Sequence, residues 1–185
     1  MYGFFGYHFA GLNEKGETLI YDAQGEKTLA SNAKVEDVYY QGTAIPKADM
    51  SLTNTFNYKS WTLSFMFIAK LGHKYRKDCF QGSNYNNRYV GQRWKQAGDE
   101  EHTIYPNLQS WNMDLFYFPF CDFNVGNASY LKMRDLTLSY NFDKNLLSHI
   151  GLSNARIYLQ ARNLFRVTAK GCDIDPEAFE NNFSG

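Results

Sequence analysis

The chain has 185 residues and no net charge, because 19 basic side chains balance 19 acidic ones. That balance excludes the basic excess that favours nucleic acid, so we expect no nucleic-acid partner. Aromatic residues make up 17% of the chain while its mean hydropathy is only -0.51, a combination typical of strands that are apolar on one side.

The first part of the chain predicts short strands around a tight turn. YGFFGYHFAGL and ETLIYD have strand-forming composition on either side of a turn at Asn13 to Gly16. EDVYYQG predicts a further strand, whereas KTLASNAKV shows no clear pattern. We interpret this region as short strands within a large surface loop, which extends from about Asn13 to Lys47.

Residues 51–70 alternate with a period of two, the pattern of a strand between two different environments. Leu52, Phe56 and Tyr58 share one parity, opposite Ser and Thr side chains. After a short connection at Lys59 and Ser60, a second apolar row consists of Trp61, Leu63, Phe65, Phe67 and Ala69. The two runs predict an antiparallel hairpin.

The same alternation returns near the end of the chain. One segment places four apolar side chains on one face, namely Leu136, Leu138, Tyr140 and Phe142. The next carries Ile157, Leu159, Ala161 and Phe165 against Arg156, Tyr158, Gln160 and Arg162. Between these two strands, residues 143–154 predict a short turn with room for one helical turn and with Gly151 as its stop signal.

The connections between these strands alternate in length. The links at residues 59–60 and 143–154 are short, whereas the link from Leu71 to Ala128 is long and rich in Gly, Asn, Asp and Gln. Outer-membrane barrels pair short periplasmic turns with long extracellular loops, and their strands need only about 9–11 residues each. Four rings flank the short links and are expected at one membrane interface: Tyr58, Trp61, Tyr140 and Phe142.

Side chains with catalytic or metal-binding chemistry are scattered. The four histidines have no nucleophile or carboxylate partner in register, so we predict neither an enzyme nor a cofactor. Asp173, Asp175 and Glu177 alternate like calcium ligands, but the glycine and distal glutamate of an EF-hand are absent, and we favour a solvated loop here and at Asp99 to His102. The cysteines lack ligand spacing, and we favour free thiols over a bridge between Cys79 and Cys121.

Two groups of residues are candidates for contact with a solute. Trp94, Trp111 and Tyr117 lie in the long connection, where rings either stack on sugar faces or pack within the loop, and packing is the simpler interpretation. Arg156, Tyr158 and Arg162 line the polar face of one strand and would face the lumen of a barrel. For these three residues we favour a solvated inner wall over direct substrate contact.

Six phrases form a recognisable series along the chain. In order they are GYHFAGLNEKGETLIYDAQGE, YYQGTAIPKADMSLTNTFNYKSWTLSFMF, RWKQAGDEEHTIYP, NASYLKMRDLTLSYNF, ARIYLQARNLF and DIDPEAF. This series resembles the C-terminal part of the SusC/RagA family of TonB-linked outer-membrane proteins. The chain departs from the family pattern at Ala97, Ser139, Ala161, Arg162 and Cys172, none of which alters the strand assignment.

The resemblance implies an all-β fold, an antiparallel transmembrane barrel of 22 strands around a plug. Residues 1–185 would form one partial barrel domain with long extracellular loops, and the plug, the N-terminal strands and the last strand would lie outside it. The resemblance also implies a place in the bacterial outer membrane, in contact with lipid, and active import of bulky nutrients such as glycans or peptides. A SusD-like surface lipoprotein and TonB, reached through the missing N-terminal part, are the implied partners.

Two other functions remain open on the residues alone. One is a soluble β-sandwich that binds carbohydrate, and the other is a passive porin-type barrel. A sandwich requires its apolar faces to be enclosed, so the environment of Leu63, Phe65, Leu138 and Leu159 distinguishes it from a membrane barrel.

Overall fold

A computed structural model of the protein describes residues 3–77, 80–81, 84–85, 87–108, 113–172 and 175–177. The strands are β1 (Gly3–Gly6), β2 (His8–Leu12), β3 (Thr18–Tyr21), β4 (Lys27–Leu29), β5 (Tyr39–Thr43), β6 (Ala48–Tyr58), β7 (Trp61–Leu71), β8 (Lys74–Arg76), β9 (Phe80–Gln81), β10 (Asn84–Tyr85), β11 (Val125–Asn127), β12 (Tyr130–Asn141) and β13 (Arg156–Thr168). The helices are α1 (Asn87–Val90), α2 (Met113–Tyr117) and α3 (Lys144–Ser148). Single 3-10 turns occupy Ala30–Asn32, Val35–Asp37, Asp99–Glu101, Phe118–Phe120 and Asp122–Asn124.

The chain divides into two compact units. The small-strand unit lies within Met1–Ile45 and Lys74–Gly126, and the sheet unit lies within Pro46–His73 and Asn127–Gly185. Among the residues that the structure describes, no helix is long and apolar enough to cross a membrane.

The sheet unit is built on one antiparallel sheet of four strands in the order β13-β12-β7-β6. Its strands contain 11, 11, 12 and 13 residues in chain order. Lys59 and Ser60 join β6 to β7, and Lys59 adopts a positive φ of 51°, as the tight turns of hairpins require. The predicted hairpin is therefore confirmed, as is the all-β antiparallel fold class.

The apolar side chains of all four strands share one face. Leu138 stands between Leu63 of β7 and Leu159 of β13, and Tyr140 stands between Trp61 and Ile157. Leu138 is 38% exposed and Leu159 is 73% exposed, while Leu63 and Phe65 are half-buried. A soluble sandwich would enclose these positions, so this sheet is not one layer of such a core.

An irregularity in β12 keeps this face apolar along its whole length. Met133 pairs with Phe67 while Asp135 pairs with Met66, so Arg134 is an extra residue relative to β7. On the other side, β13 accommodates the bulge at Asn163, which has a φ of 55°. Without the extra residue, Leu131 and Met133 would turn to the opposite face.

The two short connections lie at the same end of the sheet. The Asp143 carboxylate accepts a hydrogen bond of 2.7 Å from the backbone N–H of Asn145 and caps α3, and Gly151 follows the helix with a φ of 75°. The predicted helical turn is therefore confirmed. The rings of Trp61 and Tyr140 lie 4.8 Å apart and those of Tyr140 and Phe142 lie 5.1 Å apart. These rings therefore lie together beside the short connections, as predicted, and we call this end of the sheet the aromatic level.

The small-strand unit consists of short antiparallel pairings. β1 pairs with β5, and β2, β3 and β4 form a second sheet. The predicted turn closes through a 2.8 Å hydrogen bond from the Gly16 N–H to the Asn13 carbonyl. The N-terminal strands are thus confirmed, and β4 lies in the KTLASNAKV segment where the sequence showed no pattern.

Aromatic side chains form the core of this unit. Phe80, Tyr89, Leu115 and Phe118 make one buried cluster, and Ile20, Ala30 and Cys121 make another. The Phe123 ring lies 4.7 Å from that of Phe9 and 4.9 Å from that of Phe118. The connection between residues 71 and 128 is therefore a folded segment with its own core, which its polar composition did not predict.

Candidate functional site

The polar face of the four-stranded sheet is the first candidate site. Hydroxyl and amide side chains pair across the strands, for example the Thr62 hydroxyl with the Asn57 side-chain oxygen at 2.8 Å and the Thr55 hydroxyl with Ser64 at 3.2 Å. Cross-strand pairs of this kind satisfy polar groups without enclosing them. This face can therefore be in contact with water, whereas the other face of the sheet carries the apolar side chains.

Charged residues gather on this face around the bulge in β12 and line a cavity of about 540 Å³. The Arg162 Nε lies 3.5 Å from Asp135 Oδ1, and the Arg134 Nε lies 3.8 Å from Asp135 Oδ2. One carboxylate is thus shared by two guanidinium groups, whose side chains are 71% and 57% exposed. Lys132 is neutralised separately by Glu177, with a 2.6 Å contact from Nζ to Oε2. The two arginines therefore retain one positive charge in excess.

The three residues predicted to face a lumen lie on this polar face. The Arg156 guanidinium donates a 3.0 Å hydrogen bond to the hydroxyl of Ser139, a residue only 2% exposed. Tyr158 is 65% exposed, and Arg162 belongs to the cluster at the bulge. The structure brings Arg162 together with Asp135 and keeps Arg156 beside Ser139. Contact of these residues with a solute remains a prediction.

Arg134, Lys132 and Glu177 were not recognised as site residues from the sequence. A signal for them exists, because the apolar alternation changes phase between Met133 and Leu136. A phase change within one strand indicates a bulge, and bulges redirect side chains. Glu177 could not have been found in this way, since its pairing with Lys132 joins positions 45 residues apart in the chain.

Trp94 of the predicted loop aromatics packs within the small-strand unit. It is 8% exposed, its indole N–H donates a 2.9 Å hydrogen bond to Glu100, and Gly16 lies so close that a Cβ there would be 2.5 Å from Trp94 Cδ2. The hydrogen bond from Trp94 also lowers the pKa of Glu100. The Tyr117 ring stands edge-on to Tyr7 at 5.7 Å. Trp111 lies outside the described residues.

Asp122 is a hub of the small-strand unit. Its carboxylate accepts hydrogen bonds from the Tyr39 hydroxyl at 3.0 Å and from the Phe9 N–H at 3.2 Å, and His8 Nδ1 lies 3.1 Å away. The rings of His8 and Tyr39 stack at 3.6 Å. Burial, together with the charge of Asp122, raises the pKa of Tyr39. These contacts join β2, β5 and the 3-10 turn at Asp122, so the constellation holds the unit together.

A second polar group in this unit is packed between rings. The Arg76 guanidinium lies 5.3 Å from the Phe4 ring and 4.9 Å from the Phe120 ring, and it donates a 2.8 Å hydrogen bond to the Phe5 carbonyl. Burial lowers the pKa of Arg76. Because the guanidinium contacts two rings and a backbone carbonyl, we interpret Arg76 as a residue that stabilises the packing of this unit.

The carboxylates considered as calcium ligands are engaged with cations. Asp175 pairs with Arg166, Glu177 pairs with Lys132, and Asp173 lies outside the described residues. The Asp99 carboxylate accepts backbone hydrogen bonds of 2.9 Å and 3.1 Å from Lys95 and Gln96. Within the part of the chain that the structure describes, no group of three or more His, Cys, Asp or Glu side chains could hold a metal ion.

The cysteines have different environments. Cys121 is a free thiol with no exposed surface, and burial raises its pKa to about 12. Cys172 is half-buried, and Cys79 lies outside the described residues, as does any bridge that would include it. A thiol with so high a pKa is not a nucleophile at neutral pH.

The fold and sequence are similar to those of known outer-membrane proteins. No family model matches the chain. TonB-dependent receptor P3 of Formosa agariphila is 23% identical over an aligned length of 195 residues. The alignment covers 97% of this chain and 19% of that receptor. The RagAB peptide importer in its open-open state superposes with a TM-score of 0.71 at 22% identity, and the RagAB peptide transporter with 0.69 at 26% identity. Each superposition covers 95% of this chain and 20% of the other.

A sheet with one apolar and one polar face is what the wall of an outer-membrane barrel requires, so the fold agrees with these similarities. The chain spans about a fifth of the length of the proteins that it matches. The predicted resemblance and the outer-membrane location are confirmed, and the relatives are receptors and transporters, which agrees with the prediction that the chain is not an enzyme. Over nearly its whole length, the chain is thus similar to about a fifth of a TonB-dependent receptor and of the RagAB transporters.

Proposed function

We propose that this chain forms part of the wall of a transporter that actively imports bulky nutrients across the outer membrane. The observation that carries the proposal is the sheet with one apolar and one polar, charged face, which suits a wall between hydrocarbon and a wet interior. Residues 1–185 belong to a single barrel domain, in which the sheet unit supplies wall strands and the small-strand unit supplies their long connections.

Peptides are the first class of cargo to test, and glycans are the second. The similarity to the RagAB peptide importer supports this order. On the polar face, Arg134 and Arg162 share the Asp135 carboxylate and can attract a further anionic group such as a peptide carboxylate. Arg156 and Tyr158 line the same wall.

Import requires partners beyond this chain. A plugged barrel does not conduct bulky solutes passively, so energy reaches it through TonB from the inner membrane. A SusD-like surface lipoprotein captures the cargo at the extracellular side. The similarity to TonB-dependent receptor P3 supports the role of TonB, and the similarity to RagAB supports the lipoprotein partner.

Uptake by the native host tests the proposal. The gene that contains this sequence is deleted, and uptake of labelled oligopeptides and oligosaccharides is compared with that of the parent strain. We expect uptake of one class to be lost on deletion, and also in the parent strain when the proton gradient is collapsed. Uptake that survives collapse of the gradient indicates a passive porin and contradicts the proposal.

A further inference from the structure

The apolar face of the sheet contains a groove of about 490 Å³, which lies within the usual size range of ligand sites. Its lining is aliphatic, aromatic and thioether in character, with one serine: Met50, Ser51, Leu52, Phe67, Ala69 and Leu131. The register explains its origin, because Ala69 stands between Met50 of β6 and Leu131 of β12. Because the Ala69 side chain is only a methyl group and its neighbours are larger, the apolar face has a depression at this position.

The position of the groove along the strands places it far from the aromatic level. Trp61 begins β7 at the short connections, and Ala69 lies near the other end of that strand. At about 3.3 Å per residue and a tilt of about 40°, the two positions are separated by about 20 Å along the membrane normal. The apolar band of such barrels is about 25 Å tall. Since short turns are periplasmic, the groove lies within the band and in its outer half.

The chemistry of the groove selects a hydrocarbon occupant. Met50, Leu52 and Leu131 are 50%, 56% and 41% exposed, so apolar surface borders the groove along its sides. No charged side chain lines it, so it has nothing to bind a head group. Met50 can adjust to an irregular chain because its side chain is unbranched and flexible. The lipid-facing side of an outer-membrane barrel meets acyl chains at this depth.

We propose that the groove over Ala69 is a binding site for one acyl chain of an outer-leaflet membrane lipid. The site rests on the fold and on the outer-membrane location, and it does not depend on which nutrient is imported. A chain seated there buries more methylene groups than a chain on the flat part of the face does. A lipid held in this way remains with the protein when the surrounding lipids are removed.

Lipid retention by the full-length protein tests the site. The protein is purified from outer membranes in a mild detergent, and its bound lipids are measured by native mass spectrometry. Ala69→Phe fills the groove, and Ala161→Phe makes the same change on the same face, where Ala161 pairs with Leu136. We expect Ala69→Phe to lower retention about tenfold, which corresponds to lost contact with about two methylene groups, and Ala161→Phe to leave it unchanged.

Three results would overturn the proposal. One is equal retention by the unsubstituted protein and both variants, which would mean that the lipid belongs to a general annulus. Another is an acylated protein as the retained species, which would make the occupant a lipoprotein anchor. The third is a loss of lipid retention that is equal for Ala69→Phe and Ala161→Phe. If Ala69→Phe prevents folding, Ala69→Leu replaces it as a smaller filling, and heat-modifiable migration on gels confirms that each barrel is intact.

Discussion

The two units of the molecule place their apolar side chains in opposite ways. The sheet unit has strands of up to 13 residues and leaves large side chains exposed, with Leu159 73% and Leu52 56% exposed. The small-strand unit has strands of at most five residues, yet Tyr75 and Phe118 have no exposed surface. Exposed apolar side chains are tolerated where the neighbour is hydrocarbon, whereas a unit in water must enclose them.

The largest expected difference between the units comes from removing a core ring. Phe118→Ala leaves a cavity next to Phe80 and Phe123 and should lower the free energy of unfolding of the small-strand unit by about 3–5 kcal/mol. Phe116→Ala, at a ring that is 61% exposed, should cost about 0.5 kcal/mol or less. Both costs are measured by denaturant unfolding of the full-length protein in detergent, with limited proteolysis of the small-strand unit as the readout. Equal costs would mean that the buried cluster does not hold the unit together.

The next largest effect should come from a charge on the apolar face. Leu138→Arg places a guanidinium in hydrocarbon and should destabilise the barrel by about 2–4 kcal/mol. Thr137→Arg, at the neighbouring position on the polar face, should cost less than about 1 kcal/mol, because its side chain faces water. Unfolding in lipid vesicles gives both values. If the two substitutions cost the same, the assignment of the faces is wrong.

Alkaline pH should affect the small-strand unit through Cys121. Its pKa is raised from 9.0 to about 12, so the unfolded state releases a proton near pH 9 that the folded state keeps. Between these values the free energy of unfolding should fall by up to about 1.4 kcal/mol for each pH unit. Cys121→Ala should flatten this slope. A smaller slope should remain because the pKa of Tyr39 is also raised, and a slope unchanged by Cys121→Ala would contradict the assignment.

The smallest effect is expected on the polar face. Arg162→Ala removes an exposed ion pair with Asp135 and should change stability by no more than about 1 kcal/mol, and less at high salt. Arg156→Ala should cost more, because it deprives the buried Ser139 hydroxyl of its 3.0 Å donor. The same unfolding measurement at two salt concentrations separates the two variants. A large, salt-independent cost for Arg162→Ala would show that this face is packed rather than wet.

The regular parts of the fold could be predicted from the sequence. Alternation along residues 51–70 identified the hairpin, and the rings at Trp61 and Tyr140 identified one end of the sheet. The core of the small-strand unit could not be identified in this way. Phe80, Tyr89, Leu115 and Phe118 come from four short elements with no common period, so their meeting depends on how the chain turns between them.

For the candidate site, the pattern of residues placed Arg156, Tyr158 and Arg162 on a polar face but did not find the charge cluster. Arg134 lies at the bulge and shares the Asp135 carboxylate with Arg162. Glu177 reaches Lys132 only because the chain returns to the sheet after β13. Periodicity is a property of neighbouring residues, so it survives in the linear chain and reveals which face each side chain joins. Partners that are distant in sequence meet through register and chain return, and only the folded backbone specifies those.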